Sequence, residues 1–310
     1  METPTVTDTA RTWTLRLPRG RSLALGERTR VMGVLNLTPD SFSDGGRWVE
    51  PERAVEHGLR LLAEGADLLD LGAESTRPGG GVYGEGAHTV PADEECARLL
   101  PVLAALRAAT DAPLSVDTRK AEVAAQALAA GADLINDVTA LSDPRLGEAV
   151  AAAGCPLILM HSRGELASMQ RGIHFDDLVG EVRAELAAAM ARATAAGIDP
   201  SQLVLDPGIG FGKTWEQNVE LIRRLDELGV LGRPLLLGAS RKSFLARAAA
   251  HAGRPDASPD ARLGGSLAAV AWAAARNVAL VRVHDVAETA QLLDVWYAVA
   301  RQSPSREAAA

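Results

Sequence analysis

The chain has 310 residues, 47% hydrophobic and 23% charged, with a formal net charge of −8, the balance of a soluble globular protein able to bury a full core. The acidic balance argues against a nucleic-acid partner, so an anionic ligand would need a locally positive pocket. The most membrane-like stretch, "SLAAVAWAAARNVALVRV", is interrupted by Arg276, Asn277 and Arg282 and is too short and polar to span a bilayer.

In chain order, the start "METPTVTDTARTW" has no apolar run of the signal-peptide kind. Cys96 and Cys155 lie far apart without metal-ligand spacing, which fits a reduced, cytoplasmic setting. "TWTLRLPRGRSLALGE" alternates about "PRG" and predicts a hairpin, placed to plug the bottom of the main domain. Residues 1–28 are read as an extension carrying that hairpin, residues 29–301 as one domain, and 302–310 as a disordered tail.

Two segments, "LLAEGADLLDLGAES" and "ALAAGADLINDVTA", each close a helical pattern with Gly, then give Ala-Asp and a short apolar run. Gly65 and Gly131 suit the left-handed position that stops a helix, and the residues after them suit buried parallel strands. In that register eight strands are predicted: Val31–Leu35, Leu68–Leu71, Leu114–Val116, Leu134–Asn136, Leu157–Met160, Leu203–Leu205, Leu235–Leu237 and Ala279–Val283. Helices are expected between them, among them Pro51–Ala63, Asp93–Ala108, Lys120–Ala129, Asp176–Ala196 and Glu216–Leu228. The fold class is therefore α/β, a TIM (β/α)8 barrel with an N-terminal hairpin; a doubly wound open sheet is the alternative.

Polar residues appear where each apolar strand stops: Asn36 in "LNLTPDSFSDGG", then "GAESTRPGG", "DTRK", "ND", "MHSRG", "DPGIGFGK", "SRKS" and "RVHD". In a barrel the C-terminal strand ends and the loops after them form the active face. One such end is noise, whereas eight in phase make a site. Asp117, Asn136 and Asp206 supply two carboxylates and an amide, suited to a flat heterocycle edge rich in N–H donors; each Asp alone could be a helix cap. Arg77, Arg241, Lys242, Arg282 and His284 form a cationic rim suited to phosphate. "GIGFGKT" imitates a phosphate loop, but only three residues separate Gly208 from Gly212 where that loop has four; its better role is a tight turn presenting Asp206.

Lys occurs only at 120, 213 and 242 among 32 basic residues. A coding bias toward Arg would leave Lys where a compact ammonium matters. On that reading Lys242→Arg is damaging, Lys120→Arg is nearly silent, and Lys213→Arg falls between.

These motifs resemble those of dihydropteroate synthase, the folate-pathway enzyme targeted by sulfonamides. "MGVLNLTPDSFSDGG" is similar to its first signature and "GAESTRPGG" to its second. "SVDTRKAEVA", "INDVTA", "LMH", "LDPGIGFGK", "GASRKSF", "GGSLAA" and "VRVHDV" come after them in family order over about residues 29–295. The resemblance implies a transferase joining 6-hydroxymethyl-7,8-dihydropterin diphosphate to 4-aminobenzoate with loss of pyrophosphate, in a barrel that is usually a homodimer. It implies that Asp117, Asn136, Asp206 and Lys242 hold the pterin, and that Asn36 contacts Mg²⁺. Thr76, Arg77, Arg282 and His284 would hold the diphosphate side, while Phe42, Pro78 and Ser243 would line the 4-aminobenzoate site. Asp40, Arg77 and Lys242 are the expected catalytic residues, Asp40 facing a methylene cation left by an SN1-like displacement. Residues 162–172 depart from the family pattern. A corrinoid-linked pterin methyltransferase domain would share the Asp/Asn edge but has no use for "STRPGG" or for Arg282 with His284; a non-catalytic pterin-binding paralogue is the other alternative.

Overall fold

A computed structural model describes residues 11–38, 51–75, 89–165, 168–255 and 257–301. The strands are β1 (Trp13–Arg16), β2 (Ser22–Leu25), β3 (Arg30–Asn36), β4 (Leu68–Gly72), β5 (Leu114–Asp117), β6 (Leu134–Asp137), β7 (Leu157–Met160), β8 (Leu203–Asp206), β9 (Leu236–Leu237) and β10 (Leu280–Val283). The helices are α1 (Pro51–Ala63), α2 (Ala92–Ala109), α3 (Ala121–Ala130), α4 (Pro144–Ala153), α5 (Leu178–Ala195), α6 (Trp215–Arg223), α7 (Ser243–His251), α8 (Leu263–Ala274) and α9 (Val286–Arg301). β3 to β10 form one parallel sheet in the order β8-β7-β6-β5-β4-β3-β10-β9. A parallel bridge between Leu205 and Leu235 joins its two edges, so the expected barrel is closed.

The strands alternate in a way that fixes both the core and the site. Outward residues such as Leu69, Leu71, Val116 and Leu205 pack with helix residues such as Leu99 and Val182 in the outer core. Inward residues change character along each strand, because successive side chains point to opposite faces. At the N-terminal ends they are apolar, with Met32, Leu68, Leu134, Ile158, Val204 and Leu280 sharing one cluster. Two residues further on, at the mouth, they become Asp70, Asn136, Asp206 and Arg282, with Asp117 beside them.

The predicted hairpin forms, with Leu15 opposite Leu23 and Trp13 opposite Leu25. Leu15, Leu17, Leu23 and Leu25 are buried on the inward apolar layer, so the hairpin closes the barrel's N-terminal end. It is anchored by charge as well. Arg19 Nη2 lies 2.6 Å from Asp133 Oδ1, Arg107 Nη1 lies 2.9 Å from Oδ2, and Arg21 reaches Oδ1 too. The Leu114 amide donates to the same carboxylate at 2.9 Å. Asp133 is fully buried, and removing one partner of a buried ionic cluster leaves the other charges uncompensated. Asp133→Ala is therefore expected to lower stability by about 3–5 kcal/mol, measured by denaturant unfolding. A loss under about 1 kcal/mol, the usual worth of a surface pair, would contradict this anchoring.

Gly65 and Gly131 end their helices with φ of 109° and 115°, as their positions predicted. One helix differs from expectation. Glu216–Leu228 reads as continuous, but α6 stops at Arg223 and a 3-10 turn carries Leu225–Leu231. Gly229 and Gly232 there do not favour continued α-helix, and Leu225 and Leu228 stay buried in the tighter turn.

Candidate active site

The barrel mouth gathers the predicted pterin-edge residues. Asp117 pairs with Asn136 across β5 and β6, and Asp206 ends β8. All three are at most 8% exposed. Asp206 Oδ1 accepts from the Gly208 amide at 2.7 Å, while Oδ2 lies toward Gly238, 3.7 Å from where a Cβ there would stand. Asp117 Oδ2 accepts from Arg282 Nη2 at 3.1 Å, and Asp117 Oδ1 is buried with no hydrogen-bond partner among the described residues. Burial raises the Asp117 pKa to about 7, with Arg282 opposing and Asp70 reinforcing the rise. Burial also raises the pKa of Asp206, against the pull of Lys242.

The turn after β8 is built for close approach. Gly208, Gly210 and Gly212 all have positive φ, and a Cβ on Gly208 would stand 1.8 Å from the His161 carbonyl oxygen. Lys213 folds back into it, donating to His161 Nδ1 at 2.9 Å and to the Gly208 and Phe211 carbonyls at 3.0 Å. Since an ammonium only donates, His161 Nδ1 is the acceptor and Nε2–H donates to Glu185 Oε2 at 3.0 Å. Lys213 is 3% exposed, so it is an internal strut of this turn.

Burial, with help from Lys213, lowers the His161 pKa to about 4. Its ordinary value is near 6.5, so between pH 6.5 and 4 the unfolded chain binds the proton and the folded chain does not. Stability is then present above pH 6.5 and is lost as pH falls toward 4. His161→Gln is expected to flatten the fall in melting temperature across that window; an unchanged slope would rule His161 out as its source.

Lys242 precedes α7, where Ser243 is the first residue. Its ammonium donates to the Ile209 carbonyl and lies 4.7 Å from the Phe211 ring centroid. Burial lowers its pKa to about 8, with Asp206 pulling the other way. Arg282 points into the barrel, its Nε 2.6 Å from Asp70 Oδ2. Burial works against the Arg282 charge, but Asp70 and Asp117 outweigh it and raise the pKa.

The cationic rim is smaller than the sequence suggested. His284 Nδ1 lies 3.1 Å from Ser240 Oγ, and burial, then the charges of Arg282 and Arg241, lower its pKa to about 3. It is a neutral hydrogen-bonding group. Arg241 turns away to ion-pair with Asp285 and Asp260. Lys120 is also differently placed, against the fully buried Glu95 and against Glu74 at 3.0 Å. Glu74 further accepts from Arg119 Nε at 3.1 Å and from the Val90 amide at 2.9 Å, which joins the chain on either side of segment 76–88. Asn36 stands half-buried at the end of β3. Asp40, Phe42, Thr76, Arg77 and Pro78 lie outside the described residues, as does the tail.

Asp70 was not singled out in the sequence, although a carboxylate inside "LLDLG" is costly unless paired and so was a usable signal. It is fully buried and also accepts from Asn136 Nδ2 at 3.1 Å.

Residues 32–284 match the family model described as pterin binding enzyme. The dihydropteroate synthase of Synechocystis sp. is 45% identical over 281 residues, covering 90% of this chain and 93% of that protein. The chain belongs to the pterin-binding enzyme family, among the dihydropteroate synthases. The Bacillus subtilis dihydropteroate synthase is 38% identical, covering 87% and 88% of the two chains. Among solved structures, the Xanthomonas albilineans dihydropteroate synthase with 4-aminobenzoic acid superposes with a TM-score of 0.82 at 48% identity, covering 94% of this chain and 100% of that one. The same organism's enzyme in complex with 7,8-dihydropteroate gives a TM-score of 0.79 at 46% identity, with the same coverage. No helix among the described residues is long and apolar enough to cross a membrane.

Proposed function

We propose that this chain condenses 6-hydroxymethyl-7,8-dihydropterin diphosphate with 4-aminobenzoate, giving 7,8-dihydropteroate and pyrophosphate. The observation that carries the reading is the acceptor face at the barrel mouth. Asp117, Asn136 and Asp206 stand together, and a buried oxygen of Asp117 has no partner among the described residues. A pterin presents a ring N–H and an amino group side by side, the donor pair that a carboxylate accepts in parallel. The likeness to relatives solved with 4-aminobenzoic acid and with 7,8-dihydropteroate supports the same pair of substrates.

On this reading Asp206 and Asp117 accept from the pterin edge, the Asn136 amide oxygen joins them, and Lys242 places a compact charge beside the ring. Cleavage of the methylene C–O bond sends its electron pair to pyrophosphate and leaves a methylene cation. The 4-aminobenzoate nitrogen attacks that carbon and then loses a proton. Arg282, with Thr76 and Arg77, would hold the leaving diphosphate, and His284 would contribute a neutral donor. Asp40 would face the cation, while Phe42, Pro78 and Ser243 would flank the arylamine. Preorganised groups of this kind commonly contribute about 3–4 kcal/mol per key donor. The Asn36 amide oxygen fits Mg²⁺, which takes few protein ligands and keeps water and substrate phosphate oxygens for the rest. When bound, that ion neutralises charge on the leaving group. A homodimer working in the cytoplasm belongs to the same reading.

The test is incubation of the purified chain with both substrates and Mg²⁺, followed by mass spectrometry. The reading expects dihydropteroate and pyrophosphate in equal amounts, and neither when one substrate is omitted. Pterin binding without either product would identify a binding protein instead.

A further inference from the structure

Asp70 occupies the inward position of β4, beside Ser115 on β5 in the parallel register, and two residues below Gly72, which lies level with Asp117. It is fully buried. A single oxygen, Oδ2, accepts from two strands, from Arg282 Nε at 2.6 Å and from Asn136 Nδ2 at 3.1 Å. Both partners belong to the face just assigned to the substrate, whereas Asp70 lies beneath it.

An ionised carboxylate can only accept. Asn136 must therefore turn its NH₂ toward Asp70, which leaves its carbonyl oxygen free to act as an acceptor toward the mouth. The guanidinium is a rigid planar fork, so fixing its Nε on Asp70 sets Nη2 on Asp117, 3.1 Å away. Without Asp70 the amide could present either end, and the guanidinium would lose one of its two carboxylates. We propose that Asp70 is a positioning residue that sets the polarity of the substrate-facing surface, holding the Asn136 oxygen outward and standing Arg282 against Asp117. The inference rests on the pterin reading above and assigns a cause to the acceptor character of that face.

A plain structural role for this buried pair would change melting temperature and leave ligand affinity to follow the folded fraction. The test is calorimetric titration of 6-hydroxymethylpterin into wild type, Asp70→Asn, Asn136→Ala and the double variant, with melting curves for each. Asp70→Asn is expected to weaken pterin binding about ten- to a hundredfold in folded protein. The double variant is expected to lose clearly less than the product of the two single losses, because Asp70 acts partly through Asn136. Wild-type affinity in folded Asp70→Asn, or losses that multiply, would overturn the proposal.

A second variant keeps Asp70 in place in case Asp70→Asn does not fold. In Asn136→Asp, a protonated carboxyl can donate to Asp70 and still present a carbonyl oxygen outward, while an ionised one cannot donate. Its pterin affinity, relative to wild type at each pH, should recover as pH falls from 8 toward 5. A ratio constant with pH would overturn the proposal equally. Absence of pterin binding by wild type would instead defeat the functional reading beneath it.

Discussion

Asp206→Asn is expected to remove most pterin binding while leaving the fold intact. Asp206 Oδ1 is engaged with the Gly208 amide and the other oxygen lies toward the open side of Gly238. An amide at 206 offers one acceptor where the carboxylate offers two. If its oxygen keeps the Gly208 bond, an NH₂ faces the pterin donors, and if it flips, the turn loses its tie. Either way a buried group is left unpaired at about 1–3 kcal/mol, a loss of up to about a hundredfold. The fold should tolerate the change, because an amide has the shape of the carboxylate and its oxygen can keep the Gly208 bond. Calorimetry reads the affinity and circular dichroism the fold. Unchanged affinity would remove Asp206 from the site.

Lys242→Arg is expected to cut kcat/KM on the order of a hundredfold although it preserves the charge. The ammonium fits between the Ile209 carbonyl, the Phe211 ring and the space above Gly238, where a Cβ would stand 3.9 Å from it. A guanidinium is wider and needs a planar set of acceptors, so it must push into space reserved for substrate, and a shift of about 1 Å at a reacting centre can cost on that order. Lys120 and Lys213 divide differently from what their positions in the sequence suggest. Lys120→Arg should not be silent, because it must rebuild a pairing with the fully buried Glu95; its effect should fall on melting temperature while kcat stays near wild type. Lys213→Arg should be the most destabilising of the three, since three acceptors surround a point charge at 3% exposure. Steady-state kinetics and melting curves on all three variants check this. Equal kcat/KM for Lys242→Arg and Lys120→Arg would refute the special role of Lys242.

The barrel was legible because short apolar runs recurred between helices closed by Gly65 and Gly131, and because each run ended in polar residues. The same periodicity placed Asp117, Asn136 and Asp206 on one face, since each lies at the C-terminal end of its strand, at the mouth of the barrel. What sequence could not supply was pairing. Arg282 and Arg241 look alike in "RVHD" and "SRKS", yet one points at Asp70 inside the barrel and the other at Asp285 outside it. His284 looked cationic until its burial was known. Asp70 went unremarked because an isolated strand reading does not say which strand will face it; its partners are 66 and 212 residues away. Lys120 misled for the same reason, because the carboxylate it needs lies on another helix, at Glu95.

The central claim is that the acceptors Asp117, Asn136 and Asp206 at the barrel mouth read the donor edge of a pterin. Its most direct test is calorimetric comparison of 6-hydroxymethylpterin with the analogue lacking the 2-amino group, on wild type and on Asp206→Asn. The account predicts that wild type binds the analogue at least about tenfold more weakly, the cost of one buried acceptor left unpaired, and that Asp206→Asn narrows the gap to within about threefold. Equal affinity of the wild-type protein for the two ligands would contradict it.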